Sequence, residues 1–325
     1  MENDRPTARY ERAARKAQAD GRVPALSVAL HRADREPWVL TVGDSGRPDH
    51  PLDADTRFRI GSITKTLTAV LILQCRDDGL LDLDDPVAKH LDVPAHGDAT
   101  VRRLLSHTSG FQREPYGDIW DTLVAPDAAG LLAELDRAER VLPNGRRFHY
   151  SNLAYAVLGQ LVATLRDSTW AEAVTARILE PLGLTATTLH PPAQAAVGYL
   201  VDAYSDAARP EPQTDLGGVG PAAQLWSTAS DMATWGAFLA DPETIDPDGK
   251  VLAAATLDEM RADPTHPVMA ALPRIDMVLT YGGGPPVVDA YRGFGAAACV
   301  PVYNALDPTT HFPVAPDERF ACDLA

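Results

Sequence analysis

A chain of 325 residues can bury a sizeable core, as one large domain or two. Its 45% hydrophobic and 23% charged residues exclude a disordered chain, and no apolar run reaches the roughly 20 residues needed to span a bilayer. A net charge of −16 argues against a nucleic-acid or anionic-membrane surface. The cysteines Cys75, Cys299 and Cys322 form no CxxC pair and no zinc-like spacing, a sparse usage that fits a reducing compartment. The first twenty residues are charged and lack the apolar core of a signal peptide, so the expected location is the cytoplasm. No cofactor or metal is expected.

Residues 6–20 are rich in helix formers and end at Gly21. Ala25–Leu30 and Trp38–Val42 read as strands joined by a polar loop, Arg32–Glu36. A lone hairpin is barely stable, so this one is expected to join a larger sheet.

The next stretch, Arg57–Lys65, carries a serine followed three residues later by a lysine at the start of a predicted helix, Ile63–Cys75, with Gly61 as its turn and Gly79 as its stop. Residues three apart share a helix face, which brings Ser62 Oγ within reach of the Lys65 amine. A serine hydroxyl is a weak nucleophile until a neighbour takes its proton. The positive end of the helix dipole and burial both favour the neutral amine that can do so. With ten serines and four lysines in the chain, such a spacing arises by chance about once in eight, so the pair needs context.

Gly79–Val87 is a turn-rich connection, and Thr100–Phe111 a short helix ending in a polar turn. No carboxylate at a recognisable spacing accompanies His107 to build a triad. Its ring and the hydroxyls of Thr108 and Ser109 are instead expected to tie down backbone. Asp127–Val141 reads as a helix with Leu131, Leu132 and Leu135 on one face. Pro143-Asn144-Gly145 is a strong turn signal, after which Tyr150 and Asn152 stand just before a helix over Leu153–Leu165. Ser168 or Thr169 caps the next helix, which ends at Pro181–Leu184. Gly217–Gly220 is a flexible approach to a helix capped by Ser230 and running through Leu239; Leu252–Arg261 is the last predicted helix.

Six segments in order, Phe58–Lys65, Gly79–Val87, Leu104–Phe111, Pro143–Asn152, Glu180–Leu184 and Ser227–Asp231, resemble the serine β-lactamase and penicillin-binding-protein family. The likeness is to its class C-like branch, which also holds esterases and D-aminopeptidases. The resemblance implies an α+β fold of the β-lactamase/transpeptidase kind: an antiparallel sheet flanked by helices beside a mostly helical region, with the site between them. It implies roles as well. Ser62 attacks a carbonyl and becomes acylated, Lys65 shuttles the proton, and Tyr150 serves as base toward Ser62 and acid toward the leaving group. Asn152 orients substrate or Lys65. A phenol must be depressed from its ordinary pKa of about 10 to act as a base, and a nearby ammonium would do this.

The family's third motif, Lys-Thr-Gly or His-x-Gly, is missing after residue 262, where Pro267 and Phe312 follow the histidines. Residues 263–325 hold nine prolines and few alternating runs. The chain therefore divides into a β-lactamase-like domain, 1–262, and an atypical segment, 263–325, frameshifted or degenerate, leaving the C-terminal strands incomplete. The expected activity is hydrolysis of small-molecule esters or amides through a Ser62 acyl-enzyme. The alternative is a catalytically impaired member acting as a binding or scaffold protein.

Overall fold

The computed structural model describes residues 5–32, 35–116, 119–122, 124–143, 149–201, 207–212 and 215–262. Residues 263–325, on which the expectation of a degenerate C-terminal segment falls, lie outside the described residues, as does the Asn144–Phe148 part of the predicted turn.

Helix α1 (Arg5–Asp20) leads into the hairpin β1 (Ala25–Arg32) and β2 (Arg35–Gly43), paired in antiparallel register from Ala25 opposite Gly43 to Leu30 opposite Trp38. The strands extend further than predicted, to Arg32 and from Arg35, and residues 33–34 of the expected loop lie outside the described residues. β3 (Phe58–Arg59) then feeds a 3₁₀ turn, Gly61–Ile63, and helix α2 (Thr64–Asp77).

α2 is the axis of the molecule. Every residue from Thr64 to Cys75 is buried. A helix enclosed on all sides must satisfy its polar groups internally, and its threonines do so. Thr66 Oγ1 accepts from Trp235 Nε1 at 2.9 Å, and Thr68 Oγ1 accepts from Trp170 Nε1 at 3.0 Å. Thr68 Oγ1 in turn donates to the Pro221 carbonyl at 2.8 Å. The helix ends as its sequence predicts: Gly79 takes φ +73°, and the Leu80 N–H reaches back to Cys75 O at 2.9 Å.

Beyond α3 (Val101–Leu105), α4 (Ile119–Thr122) and α5 (Ala128–Ala133), helix α6 (Asn152–Arg166) lies across α2. α7 (Trp170–Val174) starts at Thr169 in a capping box with Glu172 and widens into a π turn, Thr175–Leu179. The short strands β4 (Tyr199–Val201) and β5 (Ala208–Pro210) pair antiparallel. α8 (Gly220–Ala223) leads to β6 (Trp226–Ser227), which pairs antiparallel with β3. α9 (Ala229–Ala240), α10 (Pro242–Ile245) and α11 (Ala254–Ala262) follow, and α9 packs against the hairpin. The sheets among the described residues are thus three antiparallel pairs, and the helices build one core around α2 and α6. No helix among the described residues is long and apolar enough to cross a membrane.

Three predicted helices also differ. The helix expected over Asp127–Val141 stops at Ala133 and gives way to a 3₁₀ turn, Leu135–Arg137. The rest is drawn into backbone bonds instead: Arg140 bridges Phe111, and Val141 N donates to Gly110 O at 2.8 Å. Thr228, rather than Ser230, caps α9 by accepting from Asp231 N, because Ser230 already lies inside the helix. The last helix starts at Ala254, not at Leu252, which is buried ahead of it.

Candidate active site

The serine–lysine pair is assembled by the turn that precedes α2. Gly61 adopts φ +51°, a left-handed conformation costly for other residues, and this turns Ser62 into the first turn of the helix. The N–H groups of a first helical turn lack intrahelical acceptors, so that of Ser62 is available to an outside oxygen.

Lys65 is only 5% exposed, and its Nζ has three oxygen neighbours: Ser62 Oγ at 3.1 Å, Asn152 Oδ1 at 2.7 Å and Ala222 O at 2.8 Å. Two of these, an amide oxygen and a backbone carbonyl, can only accept. They therefore occupy two N–H bonds, and the remaining tetrahedral position faces Ser62. In the neutral amine that position is the lone pair, aimed at the serine proton. Burial is the largest influence on the amine and pulls its pKa down to about 7; Glu114 opposes this and Arg113 reinforces it.

Tyr150 Oη donates to Ser62 Oγ at 2.8 Å, and Lys65 Nζ lies 4.8 Å from the centre of its ring. The hydroxyl of Ser62 thus stands between an amine and a phenol. Tyr150 is held by the turn after α3. His107, at φ +55°, stacks its ring on Tyr150 with centroids 4.5 Å apart, and its Nδ1 accepts the Ser151 N–H at 3.0 Å. Burial, with Lys65 and His149 nearby, holds the imidazole pKa well below its ordinary 6.5, so the ring is neutral with its proton on Nε2. The Nδ1 of His107 is taken up by the Ser151 N–H and its ring braces Tyr150, the tying-down role expected for it. Ser109 Oγ accepts from Phe111 N at 3.4 Å, while Thr108 Oγ1 pairs with Ser106 Oγ at 2.8 Å.

Asn152 opens α6, but Ser151 is the cap, its Oγ accepting from Ala154 N at 3.0 Å. This frees the Asn152 amide to face Lys65. The structure therefore brings together all four residues singled out in the sequence. It adds three groups that sequence reasoning missed: the Ala222 carbonyl, Arg113 and Glu114. Glu114 accepts from Asn152 Nδ2 with both oxygens, at 3.0 and 2.8 Å, and pairs with Arg113 Nε at 3.1 Å. Gln112-Arg113-Glu114-Pro115 reads as an ordinary polar loop, and a backbone carbonyl carries no side-chain signal.

Comparison with known proteins identifies the family and the fold. A family model described as Beta-lactamase matches residues 10–315. Beta-lactamase-like protein 2 of Dictyostelium discoideum is 29% identical over 254 residues, covering 71% of this chain and 45% of that protein. The chain spans about half the length of the curated relatives it matches, 45% and 57% of the first two. The octameric penicillin-binding protein homologue from Pyrococcus abyssi superposes with a TM-score of 0.68 at 23% identity, covering 85% of this chain and 64% of that one. A D-stereospecific amidohydrolase from Streptomyces sp. superposes with a TM-score of 0.63 at 27% identity, covering 83% of this chain and 80% of that one. With its helical core, its antiparallel strand pairs and a family match over nearly the whole sequence, the chain belongs to the beta-lactamase family and has that family's α+β fold.

Proposed function

We propose that the protein is a serine hydrolase that cleaves small-molecule esters or amides through an acyl-enzyme on Ser62. Family membership and an amidohydrolase neighbour support serine-hydrolase chemistry in general. The observation that carries the finer reading is the Lys65 amine, buried, with two positions bound to acceptors and the third facing Ser62 Oγ at 3.1 Å.

As Ser62 Oγ bonds to the substrate carbonyl carbon, its proton passes to the neutral Lys65, and the carbonyl π pair moves onto oxygen beside the Ser62 N–H. Collapse of this intermediate expels the alcohol or amine, which takes a proton from Tyr150; the tyrosine regains one from Lys65. Water then attacks the ester of Ser62 by the same route in reverse, releasing the acid. Asn152 holds Lys65 in place. The partner is a small-molecule substrate, and the net charge of −16 supports neither nucleic acid nor an anionic membrane as a partner.

A fluorophosphonate probe tests the proposal. Labelling is expected on Ser62, absent from Ser62→Ala, and accompanied by turnover of nitrophenyl acetate or nitrocefin. A folded wild-type protein that takes no label would overturn the proposal. Slow labelling without turnover would favour the impaired, ligand-binding alternative.

A further inference from the structure

Asn152 can present either end of its amide to Lys65, and the choice decides what the lysine can do. With Oδ1 toward Nζ, the neutral amine spends an N–H on it and keeps its lone pair for Ser62. With Nδ2 toward Nζ, the amide becomes a donor, and the lone pair is drawn away from the serine. Nothing on α2 or α6 settles this; the other end of the amide does. Both Glu114 oxygens lie against Asn152 Nδ2, at 3.0 and 2.8 Å, and a carboxylate can only accept. The flipped amide would set Oδ1 against that carboxylate, oxygen on oxygen.

We propose that Glu114 is a positioning residue for the reaction of Ser62: its carboxylate locks the Asn152 amide with Oδ1 toward Lys65 and so keeps the amine aimed at the serine. The inference rests on the hydrolase reading above and adds to it a residue seven positions beyond His107. The anchoring is mutual, since the backbone N–H of Asn152 donates to Arg113 O at 2.7 Å and Arg113 Nε holds the Glu114 carboxylate. Among the described residues, the charged and titratable groups around the amine are His107, Tyr150, Tyr155, Arg113 and Glu114. Glu114 is the acidic one among them, and it favours the ammonium.

Glu114→Gln and Glu114→Asp separate positioning from a merely structural role. A glutamine can offer its own NH₂ to Asn152 Oδ1 and so permits the flip. Glu114→Gln is expected to slow fluorophosphonate labelling of Ser62 on the order of 10²-fold with an unchanged melting temperature. The acid limb of its rate profile should move to lower pH, because a carboxylate that favoured the ammonium is gone. Glu114→Asp keeps an acceptor-only carboxylate and should recover most of the rate. Titration of the Lys65 side chain by ¹³C NMR reads the same change without any turnover. Glu114→Gln protein that labels at the wild-type rate, or whose Lys65 titrates where the wild type's does, would overturn the inference and leave the hydrolase reading intact. A wild-type protein that takes no label overturns the hydrolase reading instead, and the lysine titration still decides whether Glu114 governs the amine.

Discussion

The imidazole of His107 lies stacked on the ring of Tyr150, 4.5 Å between centroids and 26° between planes, while its Nδ1 takes the backbone N–H of Ser151. One side chain thus fixes both the phenol that reaches Ser62 and the backbone that starts α6. Replacing it with alanine leaves a buried N–H without an acceptor and opens a cavity beside the phenol. His107→Ala is expected to lose about 2–4 kcal/mol of stability in urea denaturation and to slow labelling of Ser62. Unchanged stability would mean that the imidazole does not brace this corner.

Removing only the phenolic oxygen isolates the chemistry from the packing. Tyr150→Phe keeps the ring against His107 and loses the bond to Ser62 Oγ. Turnover of nitrophenyl acetate is expected to fall by about 10²–10⁴-fold, the range ascribed to one positioned acid–base group, with little change in melting temperature. Activity within a few-fold of wild type would remove Tyr150 from the proton path.

Lys65 makes stability depend on pH in a direction opposite to that of an ion-paired lysine. Its pKa is about 7 in the folded protein against an ordinary 10.5, so between these values the unfolded chain binds the extra proton and stability rises with pH. The burden is about 4 kcal/mol at pH 7 and about 2 at pH 9. Lys65→Met lifts it but strands Asn152 Oδ1 and Ala222 O, at about 1–3 kcal/mol each, so the net change at pH 7 should be small. Urea titrations should show wild type gaining about 2 kcal/mol relative to Lys65→Met between pH 7 and 9. Parallel pH dependences would show the lysine to be charged in the folded protein.

Where α6 crosses α8, Gly159 leaves no room for a side chain: a Cβ there would come within 2.0 Å of Pro221 Cγ. The neighbouring Ala222 carbonyl is one of the acceptors that orient Lys65. Gly159→Ala is accordingly expected to cost about 1–3 kcal/mol despite alanine's better helix propensity, and to lower turnover by moving α8. A stabilised and fully active Gly159→Ala would show that this crossing does not set the lysine's geometry.

Local rules made the outline of the molecule legible in its sequence. The Ser62–Lys65 spacing, the left-handed Gly61 and Gly79, the helix start beside Tyr150 and Asn152, and the alternating hairpin each depend on neighbours a few residues away. Their physics is short-ranged, and their order supplied the family resemblance. Where local propensity competed with distant backbone it misled: Asp127–Val141 has helix formers throughout, yet its second half satisfies the backbone of Gly110 and Gln112.

Taken alone, the sequence determined which residues carry reactive groups and which of them share a helical turn, because bond geometry and the 3.6-residue repeat settle both. Only the tertiary structure decided the protonation of Lys65 and the direction of the Asn152 amide. Those depend on burial and on acceptors supplied by Ala222 and Glu114, residues 157 and 49 positions from the lysine along the chain. Desolvation and hydrogen-bond direction are properties of the packed site, and no spacing rule encodes them.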